Sequence, residues 1–261
     1  MRELSRVRLL AAFLGLCSVG VLGVAALDRG AMVPQLVLVA PLLTITAARA
    51  YKPGDPPRRA WIWLACAAWL AVVGETANVW FGSRVSNPLM ALSNALWCVS
   101  LLDARRKIVR GALVPPLARP WRWALAAAVL VAVVVALDAG HELLAADSIT
   151  ARRLHVAFVQ LCDGVVLIAG TWLLGALHPL WGGAAARPFL LVTAAAGCFA
   201  ASDLAFVFAR LPMPALWIRA LIVGGWALLG VAGLAQLELR RAMFARTADL
   251  HASLRALGSR Q

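Results

Sequence analysis

Acidic and amide side chains lie inside long apolar stretches of this chain, where such groups are rare. Glu75 and Asn78 are three residues apart and share one helical face, and Asp163 lies near the middle of the apolar run 154–177. Ionisable groups in hydrocarbon are costly and usually mark a functional interior. We therefore predict a polar cavity that binds a small ligand or protons, formed by Glu75, Asn78, Asn94, Asp163 and Asp203.

Other chemistries use some of the same residues. Asp138, His141 and His155 could supply nitrogen and oxygen ligands to zinc, as in an intramembrane hydrolase, although no HExxH motif supports this alternative. The lysines, Lys52 and Lys107, fall in predicted loops, which leaves no Schiff base for retinal. No GxSxG motif is present. We predict no cofactor and favour a non-enzymatic role.

The composition indicates a membrane protein. Of the 261 residues, 62% are hydrophobic and only 14% are charged, and the mean hydropathy is +0.83. Apolar runs of about 20 residues match the thickness of a bilayer, and backbone groups in hydrocarbon must be satisfied within helices. The expected fold is an all-α, polytopic bundle of about eight transmembrane helices, near 8–27, 31–50, 60–80, 88–104, 121–139, 154–177, 188–209 and 215–237.

Basic residues fix the expected orientation. The net charge is +13, and most of the 25 Lys and Arg side chains fall in alternate loops. This asymmetry predicts that both termini are cytoplasmic, and it explains the charge without nucleic acid. The expected location is the plasma membrane, with the lipid bilayer as the surrounding partner.

On this topology, the polar groups of several helices reach a similar depth. Glu75 and Asp203 would lie about 8–9 Å below the outer boundary, and Asp163 about 13 Å below it. A shared cavity in the outer half is the interpretation that we favour. The alternative is a set of independent hydrogen bonds between helices.

Two parts are expected, a bundle over 1–237 and a cytoplasmic tail helix over 238–261. Met243, Thr247, Leu250, Leu254 and Leu257 follow a 4-3 spacing, which is typical of a short coiled coil. Residues 239–257 could therefore join a signalling partner or a second copy of the chain. Alternatively, the tail lies on the membrane surface as an amphipathic helix.

Several short motifs resemble the eight-helix N-terminal sensor region of actinobacterial diguanylate cyclases and related histidine kinases. They are GETANVW (74–80), NPLMALSNALW (87–97), LDA (137–139), VQLCDGVVL (159–167), ASDLAFV (201–207) and the tail 246–257. The chain departs from that pattern, since Glu75 stands for an aspartate, Asn94 replaces an acid, and no Tyr-Pro precedes Asp163. No cyclase or kinase catalytic motif is found, so the resemblance implies a sensor half alone, a truncated product or a stand-alone relative.

The preferred interpretation is a membrane sensor or signalling module with a polar cavity in its outer half. The runner-up is a transporter of a small solute or of protons, which would also need buried polar groups, although no inverted repeat is visible. A metal-dependent hydrolase is the third possibility.

Overall fold

The computed structural model describes residues 2–27, 30–55, 57–111, 117–144, 150–180, 183, 186–209 and 216–258. Side chains are described within these ranges except at 2–5, 107–111, 142, 151–152, 180, 203–204, 206–209, 216, 246 and 248–258. The described chain is all-α, and a short 3-10 helix, His178–Leu180, is the one addition to eight α-helices. They are α1 (Arg2–Ala26), α2 (Val33–Arg49), α3 (Arg58–Phe81), α4 (Ser83–Gly111), α5 (Arg119–Leu144), α6 (Ala151–Leu177), α7 (Arg187–Ala209) and α8 (Leu216–Gly258).

Each predicted helix is found, and most extend beyond the predicted bounds. Helices also form over the two predicted segments that contain interrupting residues: 31–50, with Pro34 and Pro41, and 88–104, with Asn94. Pro34 lies in the first turn of α2, where no backbone N–H is needed, whereas Pro41 lies inside that helix. The turns around α2 and α3 contain Gly30, Gly54 and Gly82, whose positive φ angles of 69°, 92° and 70° favour glycine.

Six helices are long and apolar enough to cross a membrane, and they make this a helical membrane protein. The apolar stretches that could span the membrane lie in α1, α3, α4, α5, α6 and α8. Two shorter apolar helices accompany them: α2, with 17 residues, and the stretch Arg187–Ser202 of α7. Large apolar side chains such as Leu130 and Leu137 of α5 are exposed, as expected of a surface that faces lipid.

The helices form a closed ring with two outer additions. Around the ring, α2 packs on α3, α3 on α4, α4 on α6, α6 on α7, α7 on α8, and α8 on α2. Helix α1 lies outside the ring against α2 and α8. Among the described elements, α5 packs only on α6. The centre of the ring is thereby shielded from lipid.

Side-chain hydroxyls hold neighbouring ring helices together. Ser93 and Ser100 of α4 each donate a hydrogen bond of 2.8 Å to a backbone carbonyl of α3, at Ala67 and Ala60. Thr46 of α2 donates to the Gly233 carbonyl of α8 over 3.2 Å. Small side chains such as those of Ala and Gly let membrane helices approach closely enough for such bonds.

Helix α8 runs without a break from Leu216 to Gly258, about 64 Å at 1.5 Å per residue. The predicted tail therefore continues the last apolar helix directly. Where α8 passes the turn between α2 and α3, the Arg240 guanidinium lies 4.0 Å from the Asp55 carboxylate. Asp55 also accepts a 2.7 Å hydrogen bond from the backbone N–H of Lys52. Among the residues with the 4-3 spacing, the side chains of Leu250, Leu254 and Leu257 lie outside the described residues.

Tyr51 lies in the same turn, and the Trp61 indole N–H donates a 3.2 Å hydrogen bond to its hydroxyl. Burial raises the pKa of Tyr51 from 10.0 to about 12. The Trp61 hydrogen bond and the nearby Arg240 charge act in the opposite direction. The buried neutral phenol thus stabilises the fold fully below pH 10, and this contribution is lost as the pH rises towards 12.

Tyr51 is the single tyrosine of the chain, so its titration can be observed directly. We expect tyrosinate absorbance to appear near pH 12 in the folded protein and near pH 10 after denaturation. Arg240→Gln should move the folded midpoint higher, because a positive charge stabilises tyrosinate. Arg241→Gln, at the exposed neighbouring position, should leave it unchanged. A folded midpoint at the ordinary value would contradict the burial of Tyr51.

Gly23 lies at a close approach between α1 and the turn before α2. A Cβ there would collide with the backbone carbonyl oxygen of Ala31, which cannot rotate away. Gly23→Ala should therefore cost about 1–3 kcal/mol and lower the melting temperature in detergent by several degrees. In the same helix, a Cβ at Gly15 meets nothing within 4 Å. Gly15→Ala should be neutral or slightly stabilising, and equal melting of both variants would refute the predicted contact.

Candidate functional site

A cavity of about 440 Å³ occupies the centre of one half of the ring. All six ring helices contribute to its wall, which α1 and α5 do not reach among the described residues. Its polar lining consists of carboxylates, amides, hydroxyls, one imidazole and one thiol: Glu75, Asn78, Ser83, Ser86, Asn87, Ser93, Asn94, His155, Cys162, Asp163 and Ser202.

The lining residues come from matching ends of the helices. Ala67 and Val166 lie near the middle of α3 and α6. The other lining residues within helices lie towards the C-terminal ends of α3 and α7 and towards the N-terminal ends of α2, α4, α6 and α8. These ends therefore meet at one side of the bundle. The opposite half contains apolar side chains that are almost fully buried, among them Leu43, Leu101, Leu173 and Leu229, together with the buried polar residues Thr46 and Ser100.

Four of the five predicted ligand-binding residues line this cavity. Glu75 and Asn78 reach it from α3, Asn94 from α4, and Asp163 from α6. Asp163 is buried, with 7% of its surface exposed, whereas the other three are partly exposed. The side chain of the fifth residue, Asp203, lies outside the described residues, although the preceding Ser202 lines the cavity.

The sequence interpretation assigned only Asn94 of α4 to the cavity and missed most of what this helix contributes. Ser86, Met90, Ser93 and Trp97 recur at helical spacing and line the cavity together, with Asn87 and Asn94 beside them. That spacing is the signal that could have identified this face, because residues at i, i+4, i+7 and i+11 lie on one side of a helix.

Aromatic rings form one wall of the cavity. The Phe199 ring of α7 lies between two indoles, with centroids 5.8 Å from Trp97 and 5.1 Å from Trp226, both edge-on. Both tryptophans pack against Phe199 and also line the cavity. Such rings offer negative faces, which attract cations.

The polar groups near the cavity also bind helices to one another. Ser93 donates to the Ala67 carbonyl, and the Cys98 thiol of α4 donates to the Cys162 carbonyl of α6 over 3.5 Å. The Gln35 amide of α2 donates a 2.8 Å hydrogen bond to the Val223 carbonyl of α8, one residue after the cavity-lining Ile222. A shift of the residues that line the cavity would therefore alter several of these contacts between helices.

A second cleft, of about 810 Å³, adjoins the cavity between α4 and α6. The two spaces share Ser83, Asn87 and His155, which places these residues at the junction. The Nδ1 atom of His155 is buried there and makes no hydrogen bond within the described structure. Leu143 of α5 and Arg84 of α4 lie on the cleft side only. The cleft therefore lies beside the cavity, and these three residues separate the two spaces.

The residues of the metal alternative do not assemble. His155 lies at the cavity, whereas Asp138 and His141 of α5 are absent from its lining. Among the described residues, no three His, Cys, Asp or Glu side chains are grouped so that they could hold a metal ion. The described residues therefore form no metal centre of the kind that the hydrolase alternative requires.

No protein-family model, no curated protein and no solved structure matches this chain. The resemblance to the sensor regions of cyclases and kinases therefore stays a prediction, and the site has to be interpreted from its own chemistry.

Gly225 tests whether the aromatic wall has the described geometry. A Cβ at Gly225 would lie 2.8 Å from the Phe199 ring, which is held between the two indoles. Gly225→Ala should displace that ring, change the near-ultraviolet circular dichroism and cost about 1–3 kcal/mol of stability. The adjacent Gly224 has nothing within 4 Å of a Cβ, so Gly224→Ala is the matched control. Identical spectra for both variants would contradict the predicted contact.

Proposed function

We propose that this chain is a sensor module of the plasma membrane whose central cavity binds a small organic cation. In this proposal, a conformational change caused by ligand binding is transmitted along α8 to the cytoplasmic side. The observation that carries the proposal is the cavity itself, which all six ring helices line and which includes Ile222 and Trp226 of α8. The same helix continues well beyond the bundle residues.

The proposed topology has eight crossings with both termini cytoplasmic. The alternation of basic loops supports it, and so does the meeting of matching helix ends around the cavity. Helix α2, with 17 residues, spans about 25 Å, which is at the short end of what a bilayer accepts. Under this topology the cavity lies in the outer half, and residues 238–261 form the cytoplasmic tail.

The lining favours a cation over an anion. Glu75 and Asp163 provide carboxylates, and Trp97, Phe199 and Trp226 provide aromatic faces. Lysine and arginine are absent from the described lining of the cavity. A protonated amine or a quaternary ammonium group satisfies both features, since carboxylates accept its hydrogen bonds or balance its charge and aromatic rings attract it.

A path for coupling leads from the cavity along α8. Trp226 contacts the Phe199 ring, and Gln35 holds the backbone of α8 at Val223. Further along, Thr46 bonds to Gly233 and Arg240 pairs with Asp55. A ligand that moves the first part of α8 would change these contacts in turn. Residues 239–257 would then present an altered surface to a signalling partner or to a second copy.

A transporter remains the second candidate, and the lateral cleft favours it because a substrate needs an entrance. Transport also requires that the opposite half opens, and that half is filled by buried leucines. Flux therefore separates the two functions: a sensor binds its ligand without moving it across the membrane.

The binding prediction can be tested with purified protein and a panel of amines and quaternary ammonium ions. Carboxylates and sugars of similar size serve as the comparison. We expect isothermal titration to show binding of cations only, weakened about tenfold or more in Asp163→Asn, because a charged partner is lost. The control is Asp138→Asn, which removes a carboxylate of α5 that does not line the cavity. This variant should bind the cations as the unaltered protein does. Equal weakening in both variants would contradict the proposed site.

Coupling and flux complete the test. A fluorophore on Met243→Cys, in a Cys66→Ser background that removes the exposed native thiol, should change its emission when a cation binds. Proteoliposomes should show no uptake of the same cation. Uptake that Asp163→Asn abolishes would establish the transporter instead, and binding without a response at Met243 would leave α8 no signalling role.

A further inference from the structure

A groove outside the ring has a different chemistry from the central cavity. It has a volume of about 420 Å³ and runs between α1 and α7, with α8 as its floor. Its apolar lining includes Leu9 and Phe13 of α1 and Leu190 and Leu191 of α7. On the floor it includes Leu228 and Val231 of α8. Helices α1 and α7 do not pack on each other in the described structure, so the groove separates them.

Two arginines lie at one end of this groove. Arg6 comes from the beginning of α1, and Arg187 is the first residue of α7. Arg6 is exposed and Arg187 partly buried, and no acidic residue is among the described lining. From Arg6 to Phe13, the apolar wall of α1 extends about 10 Å.

We infer that this groove is a binding site for one anionic phospholipid. The two guanidinium groups bind the phosphate, since arginine offers paired donors that fit phosphate oxygens. The first part of an acyl chain lies on the leucine and phenylalanine wall, where a free anion would gain nothing. Under the proposed topology this end faces the cytoplasmic leaflet, which carries the anionic lipids.

The lipid would join helices that the protein itself leaves apart. Helix α1 is held to the described bundle by α2 and α8 only, and its described side chains are largely exposed. A phosphate between Arg6 and Arg187 links α1 to α7 across α8. The inference is independent of what the central cavity binds.

The experiment uses the full chain in detergent, with phosphatidylglycerol titrated and bound lipid counted by native mass spectrometry. We expect one tightly bound phosphatidylglycerol, with affinity lowered roughly fivefold by Arg6→Gln or Arg187→Gln and about twentyfold by both. The control is Arg8→Gln with Arg241→Gln. It removes the same charge at two exposed positions outside the groove and should bind as the unaltered protein does.

Three results would overturn the inference. One is equal loss of lipid from the groove and control variants, which would show general attraction of charge. Another is equal retention of phosphatidylcholine, which would show that the net negative charge of the headgroup plays no role. The third is displacement by inorganic phosphate or glycerol phosphate at the same concentration, which would show an anion site without an acyl chain. Size-exclusion profiles and the single variants identify any loss that arises from misfolding.

Discussion

Hydrocarbon offers no partner to a polar side chain, and this constraint explains the main features of the structure. Every buried carboxylate, amide or hydroxyl must reach another protein group, water or a ligand. The closed ring of six helices provides a centre that lipid cannot enter. Glu75, Asn78, Asn94 and Asp163 come from three different helices and share that centre. Their burial in one place is less costly than four separate exposures to lipid.

Part of the fold follows directly from the sequence. Because each helix in a membrane satisfies its own backbone, runs of about 20 apolar residues were sufficient to locate all eight helices. Pro41 and Asn94 interrupt the apolar runs of α2 and α4, and both residue types disfavour the interior of a helix in water. Inside the bundle, Pro41 is accommodated within α2, and Asn94 faces a polar cavity.

The order of helices around the ring could not be predicted in the same way. It depends on contacts between residues far apart in sequence, such as Ser100 with the Ala60 carbonyl and Gln35 with the Val223 carbonyl. The same applies to the aromatic wall. Trp97 and Trp226 are separated by 129 positions, and only the packing of α4, α7 and α8 brings both to Phe199. An apolar aromatic residue in a span gives no sign of whether it faces lipid, core or cavity.

The two halves of the bundle differ in packing, and the difference bears on function. A dry cavity of about 440 Å³ would cost on the order of 10 kcal/mol, at about 24 cal/mol per Å³. That cost is comparable to the whole stability of many domains. Polar lining groups remove much of it, because water or a polar ligand can occupy the space with hydrogen bonds. The opposite half, closed by Leu43, Leu173 and Leu229, supplies the packing that keeps the ring together. A bundle built in this way can hold a ligand at one side while its other half stays closed, and α8 is the ring helix that continues from the cavity through the packed half to Gly258.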